Sequence, residues 1–399
     1  MALDFRFTEE QRMLASTAYK WASDWLEPQM EELEKKQECP PDLFTELGKL
    51  GVNGIVFEEK YGGAGLGYVE TCIVYEAIGR ISSGIAGGVI GPSQTLCFDN
   101  FRRNAREDQK MEVLPKACTG EYIGALGITE PNSGSDAISM KTTAVKKGDV
   151  YIINGSKIFI TNSPIADVMM FYAKTDPEKG PHGISAFWCY LKGMKGVTID
   201  KIDKWGFRTS PTGLVTFEDV AIPEANLLGK LNNGVSVLTS GLCTERITLG
   251  ASVLGLQRAC IELSVKYAKE RVQFGKPIAS FQLIQGKLAD MYCNYEASRW
   301  MIYRAAAYCD SLGDKRGGKG TELDRMAAAA ILFCAERGSQ IASDAVQIHG
   351  GYGLCTEYSV SRHYLDSKLW EIGAGTSEIR RLIVARELLR DGFTMDSQF

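Results

Sequence analysis

Two oppositely charged residues stand side by side in an otherwise apolar stretch, SGLCTERITLGASVLG (residues 240–255). Leu242 and Leu249 are two turns apart at helical spacing, which predicts a helix with one face in a core. Glu245 falls on that apolar face, whereas Arg246 is turned away from it by about 100°. A carboxylate on a core face must find a partner, border a cavity or keep a raised pKa. The helix alone therefore leaves two interpretations open: a local ion pair, or an acid–base group.

Two further stretches contain residues suited to a flat heteroaromatic ligand. VYIINGSKIFIT (150–161) predicts a hairpin of two short strands joined at Asn154–Gly155. Alternation then places Phe159 and Thr161 on one face, an aromatic ring beside a hydroxyl. The preceding loop GITEPNSGSD (127–136) is crowded with hydroxyl groups, glycines and backbone N–H donors, which suit a diphosphate or ring carbonyls. Each stretch is equally compatible with ordinary strand and turn chemistry.

A fourth candidate stretch, WEIGAGTSEIRR (370–381), places glycines before a helix that is predicted to begin near Thr376. The N-terminus of a helix offers unpaired N–H groups and positive potential to an anionic ligand. A plain capped helix would show the same pattern.

Several familiar motifs fail on inspection. GDKRGGKG (313–320) matches GxxxxGK but ends in glycine and follows a helix, so it is not a phosphate-binding loop. No GxGxxG lies between a strand and a helix, and no GxSxG is present. His182, His349 and His363 are far apart and lack metal-ligand spacing, so no metal site is expected.

Bulk properties limit the function classes. A chain of 399 residues predicts two or three domains, and a net charge of −4 argues against a nucleic-acid binder. Eleven cysteines without a CxxC pair fit reduced intracellular thiols, and no stretch is long and apolar enough to cross a membrane. The N-terminus, MALDFRFTEEQRML, lacks signal and transit character. We therefore expect a cytoplasmic protein, or a mitochondrial-matrix protein in a processed eukaryotic form.

The chain changes character twice, which predicts an α+β protein of three domains. Residues 1–122 read as helical, starting with a capping box at Thr8 and an amphipathic run that stops near Pro28. Residues 123–233 show strand-like periodicity, and residues 234–399 return to long helical patterns.

Taken together, these motifs resemble the acyl-CoA dehydrogenase family over roughly residues 5 to 395. The resemblance is carried by ITEPNSGSD, INGSKIFITN, RVQFGKPIASFQ, DAVQIHGGYG and GAGTSEIRRLIVARE, in that order. It implies an N-terminal helical domain, a middle β-barrel-like or sandwich domain and a C-terminal four-helix bundle. It also implies a homotetramer, bound FAD, an acyl-CoA substrate and electron-transferring flavoprotein as the electron acceptor.

The family reaction is α,β-dehydrogenation of an acyl thioester, with a carboxylate removing the α proton while a hydride leaves to flavin N5. Many members carry that carboxylate directly before the GTS of the last motif, where this chain has Ala374. A minority, including members that act on isovaleryl-CoA, carry it within GLxxER, which here is GLCTER and gives Glu245. The resemblance therefore implies Glu245 as the base and places Arg246 close to it.

The resemblance also implies the remaining site residues. The Ala374 N–H, with the ribityl 2′-hydroxyl of FAD, would form the oxyanion hole. Substrate contacts would come from Phe98, Ser135, Arg246 and Gly375. Contacts to the flavin, the phosphates and the ADP part would come from Leu126, Ile128, Thr129, Ser135, Phe159, Thr161, Gln347, Gly350, Gly351, Thr376 and Glu378, and from a neighbouring subunit's Arg271, Phe274 and Gln282. His349 departs from the small or apolar residue usual in QIxGG.

The expected substrate is a short branched acyl-CoA similar to isovaleryl-CoA. The alternatives are the same chemistry on an alicyclic, aromatic, dicarboxylic or carrier-protein-bound acyl group, an oxidase that uses oxygen, and a non-catalytic assembly protein. GPSQTLCFDNF (91–101) is predicted to line the acyl pocket, and Asp99 would disfavour a dicarboxylate if it faced inward.

Overall fold

The computed structural model describes residues 6–313 and 320–392. The predicted order of helices, sheet and helices is present. The first five residues, the core of the glycine-rich segment at 314–319 and residues 393–399 lie outside the described part.

The N-terminal region is built from short helices packed around one longer helix. Its α-helices are α1 (Glu9–Trp21), α2 (Met30–Lys36), α3 (Leu43–Lys49), α4 (Tyr68–Gly79), α5 (Ser83–Ile85), α6 (Asp99–Asn104) and α7 (Glu107–Thr119).

The start of the first helix is as predicted, but its end is not. The hydroxyl of Thr8 accepts from the Gln11 N–H, and the Gln11 side chain accepts from the Thr8 N–H, which completes the capping box. The run does not stop at Pro28. A π-helical turn (Ala22–Leu26) and a 3₁₀ turn (Glu27–Gln29) carry the chain into α2. Proline is tolerated there because the hydrogen bond of the 3₁₀ turn runs from the Met30 N–H to the Glu27 carbonyl and does not need an N–H on Pro28.

Two π-helical stretches between α5 and α6, Ala86–Ile90 and Pro92–Phe98, join the N-terminal helices to the sheet. Wider turns of this kind disturb the regular backbone ladder and are frequent at functional sites. Here the Val89 carbonyl accepts from the Asn162 amide at 2.9 Å, and the Gly88 carbonyl accepts from the Ser210 hydroxyl at 2.5 Å.

The middle region is one mostly antiparallel sheet in the order β6-β7-β3-β2-β4-β5-β8, with β1 paired in parallel to β4. The strands are β1 (Gly124–Gly127), β2 (Thr143–Lys147), β3 (Val150–Thr161), β4 (Val168–Lys174), β5 (Ile184–Tyr190), β6 (Val197–Lys201), β7 (Thr212–Pro223) and β8 (Leu227–Leu228). Apolar residues such as Ile153, Phe171, Phe187 and Phe217 form its own core.

The predicted hairpin at Asn154–Gly155 is wrong. Residues 150–161 form a single strand, β3, and the turn lies earlier, between β2 and β3, where Gly148 has φ 64°. Asn154 and Gly155 instead mark a register shift against β7, and the Asn154 side chain exchanges hydrogen bonds with Asp219. An Asn-Gly pair can thus form a bulge as well as a turn, since bulges and tight turns each need a backbone conformation that glycine adopts easily.

The C-terminal region is a bundle of long helices in which α8 is central. Its helices are α8 (Gly234–Glu270), α9 (Gln282–Ser311), α10 (Glu322–His349), α11 (Val360–Ser367) and α12 (Ser377–Asp391), with a small ribbon of β9 (Val272–Gln273) and β10 (Lys276–Pro277) after α8. α8 packs against α4, α9 and α10, so one apolar core runs from the N-terminal helices into the bundle.

Within residues 6–313 and 320–392, no helix is long and apolar enough to cross a membrane. All eleven cysteines are free thiols.

Candidate active site

Glu245 lies in the first third of α8 and is buried, with 6% of its surface exposed. Burial raises the pKa of its carboxyl group from 4.5 to about 7, although the charges of Arg246 and Arg380 lower it in part. Loss of solvent disfavours the charged form of a carboxyl group, and here that effect exceeds the attraction of two cations. A carboxyl group that titrates near neutral pH can act as a proton acceptor.

The adjacent Arg246 has a different partner. Its Nη1 donates to Asp324 Oδ1 at 2.9 Å, and its Nε donates to the carbonyl of Ala374 at 3.4 Å. The local ion-pair interpretation of the Glu245–Arg246 sequence therefore fails, because the guanidinium is taken up by α10 and by the turn before α12.

That turn holds its backbone in an unusual conformation. Ala374 has φ 56° and Gly375 has φ 91°, and the Thr376 hydroxyl then caps α12 by accepting from the Ile379 N–H at 3.2 Å. A positive φ is uncommon for a residue with a side chain and often marks a functional site. The predicted helix start at Thr376 is confirmed by this cap.

The carbonyls of Gly373 and Ala374 both accept hydrogen bonds from arginines, and these contacts orient the N–H group of Ala374. The Gly373 carbonyl accepts from Arg380, and the Ala374 carbonyl accepts from Arg246. In a trans peptide the N–H points opposite to the C=O, so the Ala374 N–H faces away from Arg380. Among the described residues it has no hydrogen-bond acceptor of its own.

Arg380 is a functional candidate that the sequence reasoning missed. Its side chain is fully buried, and its Nη1 donates to the Trp370 carbonyl at 2.7 Å. Its Nε has no hydrogen-bond partner among the described residues, and burial lowers the pKa of the guanidinium to about 10. A signal was available, since Arg380, Ile383 and Glu387 form a buried stripe at helical spacing on α12, much as Glu245 does on α8.

The sheet presents its predicted residues along the loop after β1 and the end of β3. The Ile158 N–H donates to the Thr129 carbonyl at 2.8 Å, so the two segments lie side by side. Phe159 has φ 58° at a second register shift and is 62% exposed, while Thr161 is half-buried. The bulge breaks the alternation predicted from the sequence, because Lys157 and Ile160 are both buried.

A buried ion pair supports that loop. Lys157 donates to Glu130 at 2.7 Å, and Glu130 also accepts from the Thr142 N–H at 3.0 Å. Of the other predicted residues here, Leu126 is buried, Ile128 is half-buried and Ser135 is exposed.

A large groove lies at the far end of the bundle. It has a volume of about 1160 Å³ and is lined by residues after α8, at the start of α9 and at the end of α10, among them Arg271, Phe274, Gln282, His349, Gly350 and Gly351. Two sets of predicted FAD contacts thus line this one groove: Arg271, Phe274 and Gln282, expected to reach a neighbouring subunit's FAD, and Gly350 and Gly351, expected near the ADP part. Gln347, also in the ADP set, is exposed and lies two residues before the end of α10.

His349 is part of an aromatic cluster in this groove. Its ring stacks on Tyr267 with centroids 4.3 Å apart, and its Nδ1 lies 2.8 Å from the Ala345 carbonyl. Burial lowers the pKa of the imidazole, so it is neutral at physiological pH.

Two residues of the stretch that is predicted to line the acyl pocket are fully buried. Phe98 is fully buried in a core cluster between the N-terminal helices and the sheet. Asp99 is fully buried and forms ion pairs with Arg102 and Arg103 at 2.9 Å each. Each oxygen of its carboxylate is therefore paired with an arginine. Glu378, in the first turn of α12, is exposed.

Comparison with known proteins covers almost the whole chain. Three domain families match in succession: acyl-CoA dehydrogenase, N-terminal domain, over residues 8–121; middle domain, over 125–220; and C-terminal domain, over 232–389. A mitochondrial isovaleryl-CoA dehydrogenase from Oryza sativa subsp. japonica is 43% identical over 388 residues, which is 96% of this chain and 92% of the relative.

Solved structures agree with this placement. Butyryl-CoA dehydrogenase from Megasphaera elsdenii superposes with a TM-score of 0.91 at 37% identity, over 97% of this chain and 100% of that one. PigA with FAD and proline superposes with a TM-score of 0.91 at 30% identity, over 98% and 100% of the two chains. This chain therefore belongs to the acyl-CoA dehydrogenase family of flavin-dependent oxidoreductases.

Proposed function

We propose that this enzyme dehydrogenates a short branched-chain acyl-CoA at its α,β-carbons, with Glu245 as the base. The observation that carries the proposal is the burial of Glu245 on α8, which raises its pKa to about 7. The usual position before the GTS motif holds Ala374, which cannot accept a proton. The 43% identical rice relative is an isovaleryl-CoA dehydrogenase, which supports the choice of acyl group.

The residues at the site fit FAD, which is the cofactor of PigA in the related structure. The free Ala374 N–H, the loop around Thr129 and the exposed Phe159 supply a donor, backbone polar groups and an aromatic ring. Thr129, Phe159 and Thr161 would hold the flavin ring, and FAD when bound would take up the hydride from Cβ.

The chain's own groups account for the proton and the charge. Glu245 takes the α proton, and negative charge then develops on the thioester oxygen. The Ala374 N–H is held in place by the two arginine–carbonyl contacts, and it would donate to that oxygen. A preorganised donor is most effective when it is aimed where charge develops.

The separation of the two sites supports a second copy of the chain. Glu245 and Arg271 are joined by the helix α8, and 26 residues at 1.5 Å each span about 39 Å. We expect that distance to be too long for one FAD molecule, which supports separate FAD molecules at the Glu245 end of α8 and in the groove of one chain. We propose the homotetramer that the family resemblance implies, with the groove of one subunit holding the ADP part of its neighbour's FAD.

Electrons would then pass to electron-transferring flavoprotein. The exposed Phe159, beside the proposed flavin site, is consistent with an acceptor that approaches from the surface.

The test is Glu245→Gln, which keeps the shape of the side chain and removes the base. We expect turnover to fall by about 10²- to 10⁴-fold, because that is the usual contribution of a positioned general base. FAD content and binding of the product-like enoyl-CoA should be unchanged.

The matched control is Glu371→Gln, which alters the carboxylate in the turn before Ala374. Glu371 is paired with Lys368 and Ser339, so its removal should leave turnover within a few-fold of the parent. Full activity in the Glu245 variant would rule out this assignment of the base.

A further inference from the structure

Asp324, at the start of α10, is a buried carboxylate that the reaction proposed above does not use directly. Its Oδ1 accepts from Arg246 Nη1 at 2.9 Å, and its Oδ2 lies 3.3 Å from Arg386 Nη2. Only 5% of its side chain is exposed. Asp324 therefore links the helix that carries Glu245 to α12.

The contact with Arg246 matters because this arginine directly follows Glu245. A long guanidinium side chain without another partner would be attracted to a neighbouring carboxylate, and the charge of Arg246 already acts on Glu245. An opposite charge within about 4–6 Å lowers a carboxyl pKa by about 1–3 units. A base held in such an ion pair is a weaker proton acceptor.

We propose that Asp324 is a positioning residue for the base: it holds the Arg246 guanidinium between α10 and the Ala374 carbonyl and keeps it from pairing with Glu245. The inference rests on the proposed function, in which Glu245 removes the α proton. The contact between Asp324 and Arg246 would then have two effects. It keeps the guanidinium away from Glu245, and it holds the same guanidinium against the carbonyl of Ala374, in the turn that presents the Ala374 N–H.

The surroundings identify Arg246 as the group through which Asp324 acts. Among the described residues, charged or titratable side chains reach the two carboxyl groups from three elements: Arg246 and Cys243 on α8, Arg380 and Arg386 on α12, and Tyr172 on β4. Arg246 touches Asp324 and also neighbours Glu245. Arg380 is held by the Trp370 and Gly373 carbonyls, independently of Asp324.

The experiment uses Asp324→Asn in the FAD-loaded enzyme. The asparagine keeps an oxygen acceptor of the same size but loses the charge that holds Arg246. We expect the pKa of Glu245 to fall by about 1–3 units, because the released guanidinium can pair with it. The first readout is the pH at which substrate-driven bleaching of the flavin reaches half of its maximal rate.

A second readout is independent of turnover. The difference in melting temperature between Glu245→Gln and its parent changes with pH across the interval between the unfolded and folded pKa values of Glu245. In the Asp324→Asn background the folded pKa of Glu245 should be about 1–3 units lower, so this pH interval should end about 1–3 units earlier.

The control is Arg386→Met, which removes the other cation at Asp324 and leaves its contact with Arg246. We expect the pKa of Glu245 in this variant to stay within a few tenths of a unit of the parent value. An unchanged or raised midpoint in Asp324→Asn, by both readouts, would overturn the proposal.

If Asp324→Asn does not fold, Asp324→Ser, which also removes the charge but leaves room for a water at the guanidinium, provides the same test. The pKa of Glu245 should again fall, and an unchanged or raised midpoint would overturn the inference. Failure of the proposed function is separately visible, because Glu245→Gln would then retain its turnover.

Discussion

At the scale of single residues, Glu245 and Arg246 show how neighbours in sequence acquire different roles. The helix turns them to different sides, and the structure supplies Asp324 and the Ala374 carbonyl to the arginine. Glu245 is left buried with its charge only partly balanced, which raises its pKa to about 7. The sequence placed the carboxylate on a core face, but Asp324 could not be predicted because it lies far away in the chain.

The raised pKa of Glu245 predicts a dependence of stability on pH. The folded protein holds this proton up to about pH 7, whereas the unfolded chain releases it near 4.5. The folded state therefore binds more protons in this interval, and stability falls as pH rises through it. Each unit corresponds to about 1.4 kcal/mol, so the full cost above pH 7 is on the order of 3 kcal/mol.

Glu245→Gln removes that cost. We expect the variant and the parent to have similar melting temperatures near pH 4.5 and the variant to be the more stable by on the order of 2–3 kcal/mol at pH 8. Thermal melts at fixed protein and FAD concentrations measure the difference. Glu371→Gln should show no such gain, since ion pairing lowers the pKa of Glu371. Parallel melting curves across pH for Glu245→Gln and parent would contradict the burial argument.

At the scale of elements, the sequence predicted the long helices and failed where the backbone departs from regular structure. α8, α9, α10 and α12 each carry several turns of helical periodicity, and all are present. The Asn154–Gly155 turn was wrong because the same dipeptide fits a bulge, and pairing with β7 decides between them. The π-helical stretches between α5 and α6 leave no local signal, since tertiary contacts with the sheet occupy their carbonyls.

The domain limits that the sequence suggests, 1–122, 123–233 and 234–399, stay a prediction. They lie close to the spans of the three matching domain families.

In the π-helical stretch Ala86–Ile90, we expect that adding one methyl group at Gly87 destabilises the fold. A Cβ on Gly87 would lie 2.3 Å from the Trp370 ring and 2.8 Å from the Ser252 hydroxyl. Gly87→Ala should therefore destabilise the protein by about 1–3 kcal/mol through overpacking. It should also weaken FAD binding, because Trp370 supports the turn that presents Ala374.

Gly286→Ala is the matched control, since a Cβ there meets nothing within 4 Å on helix α9. This change should be neutral or stabilising by up to about 1 kcal/mol. Thermal melts and the ratio of FAD to protein measure both effects. Equal behaviour of the two alanine variants would show that the Gly87 contact carries no energetic weight.

At the scale of the whole molecule, about 39 Å of helix α8 separate Glu245 from the groove beyond the other end of that helix. The most exposed aromatic side chain of the groove is Phe274, at 93%. An apolar ring so exposed on a rigid ribbon is suited to contact with another subunit. The groove residues were recognised from sequence only through family motifs, because no periodicity links the end of α8 to the end of α10.

Phe274→Glu should therefore dissociate the assembly and lower the FAD content, since a charge in an apolar contact is costly. Light scattering after gel filtration and the FAD-to-protein ratio measure both. Met111→Glu, on the exposed face of α7 and away from the groove, is the control and should change neither. An intact assembly with full FAD in Phe274→Glu would contradict the proposed sharing of the groove.

The most direct test of the whole account is anaerobic mixing of the FAD-loaded enzyme with isovaleryl-CoA, while the visible absorbance of the flavin is followed. Butyryl, cyclohexanoyl, glutaryl and arylpropionyl thioesters serve as comparisons. We expect rapid bleaching by isovaleryl-CoA, slower bleaching by the others, and bleaching slowed by about 10²- to 10⁴-fold when Glu245 is replaced by glutamine. A yellow enzyme that no acyl-CoA bleaches, or one bleached as fast without Glu245, would contradict it.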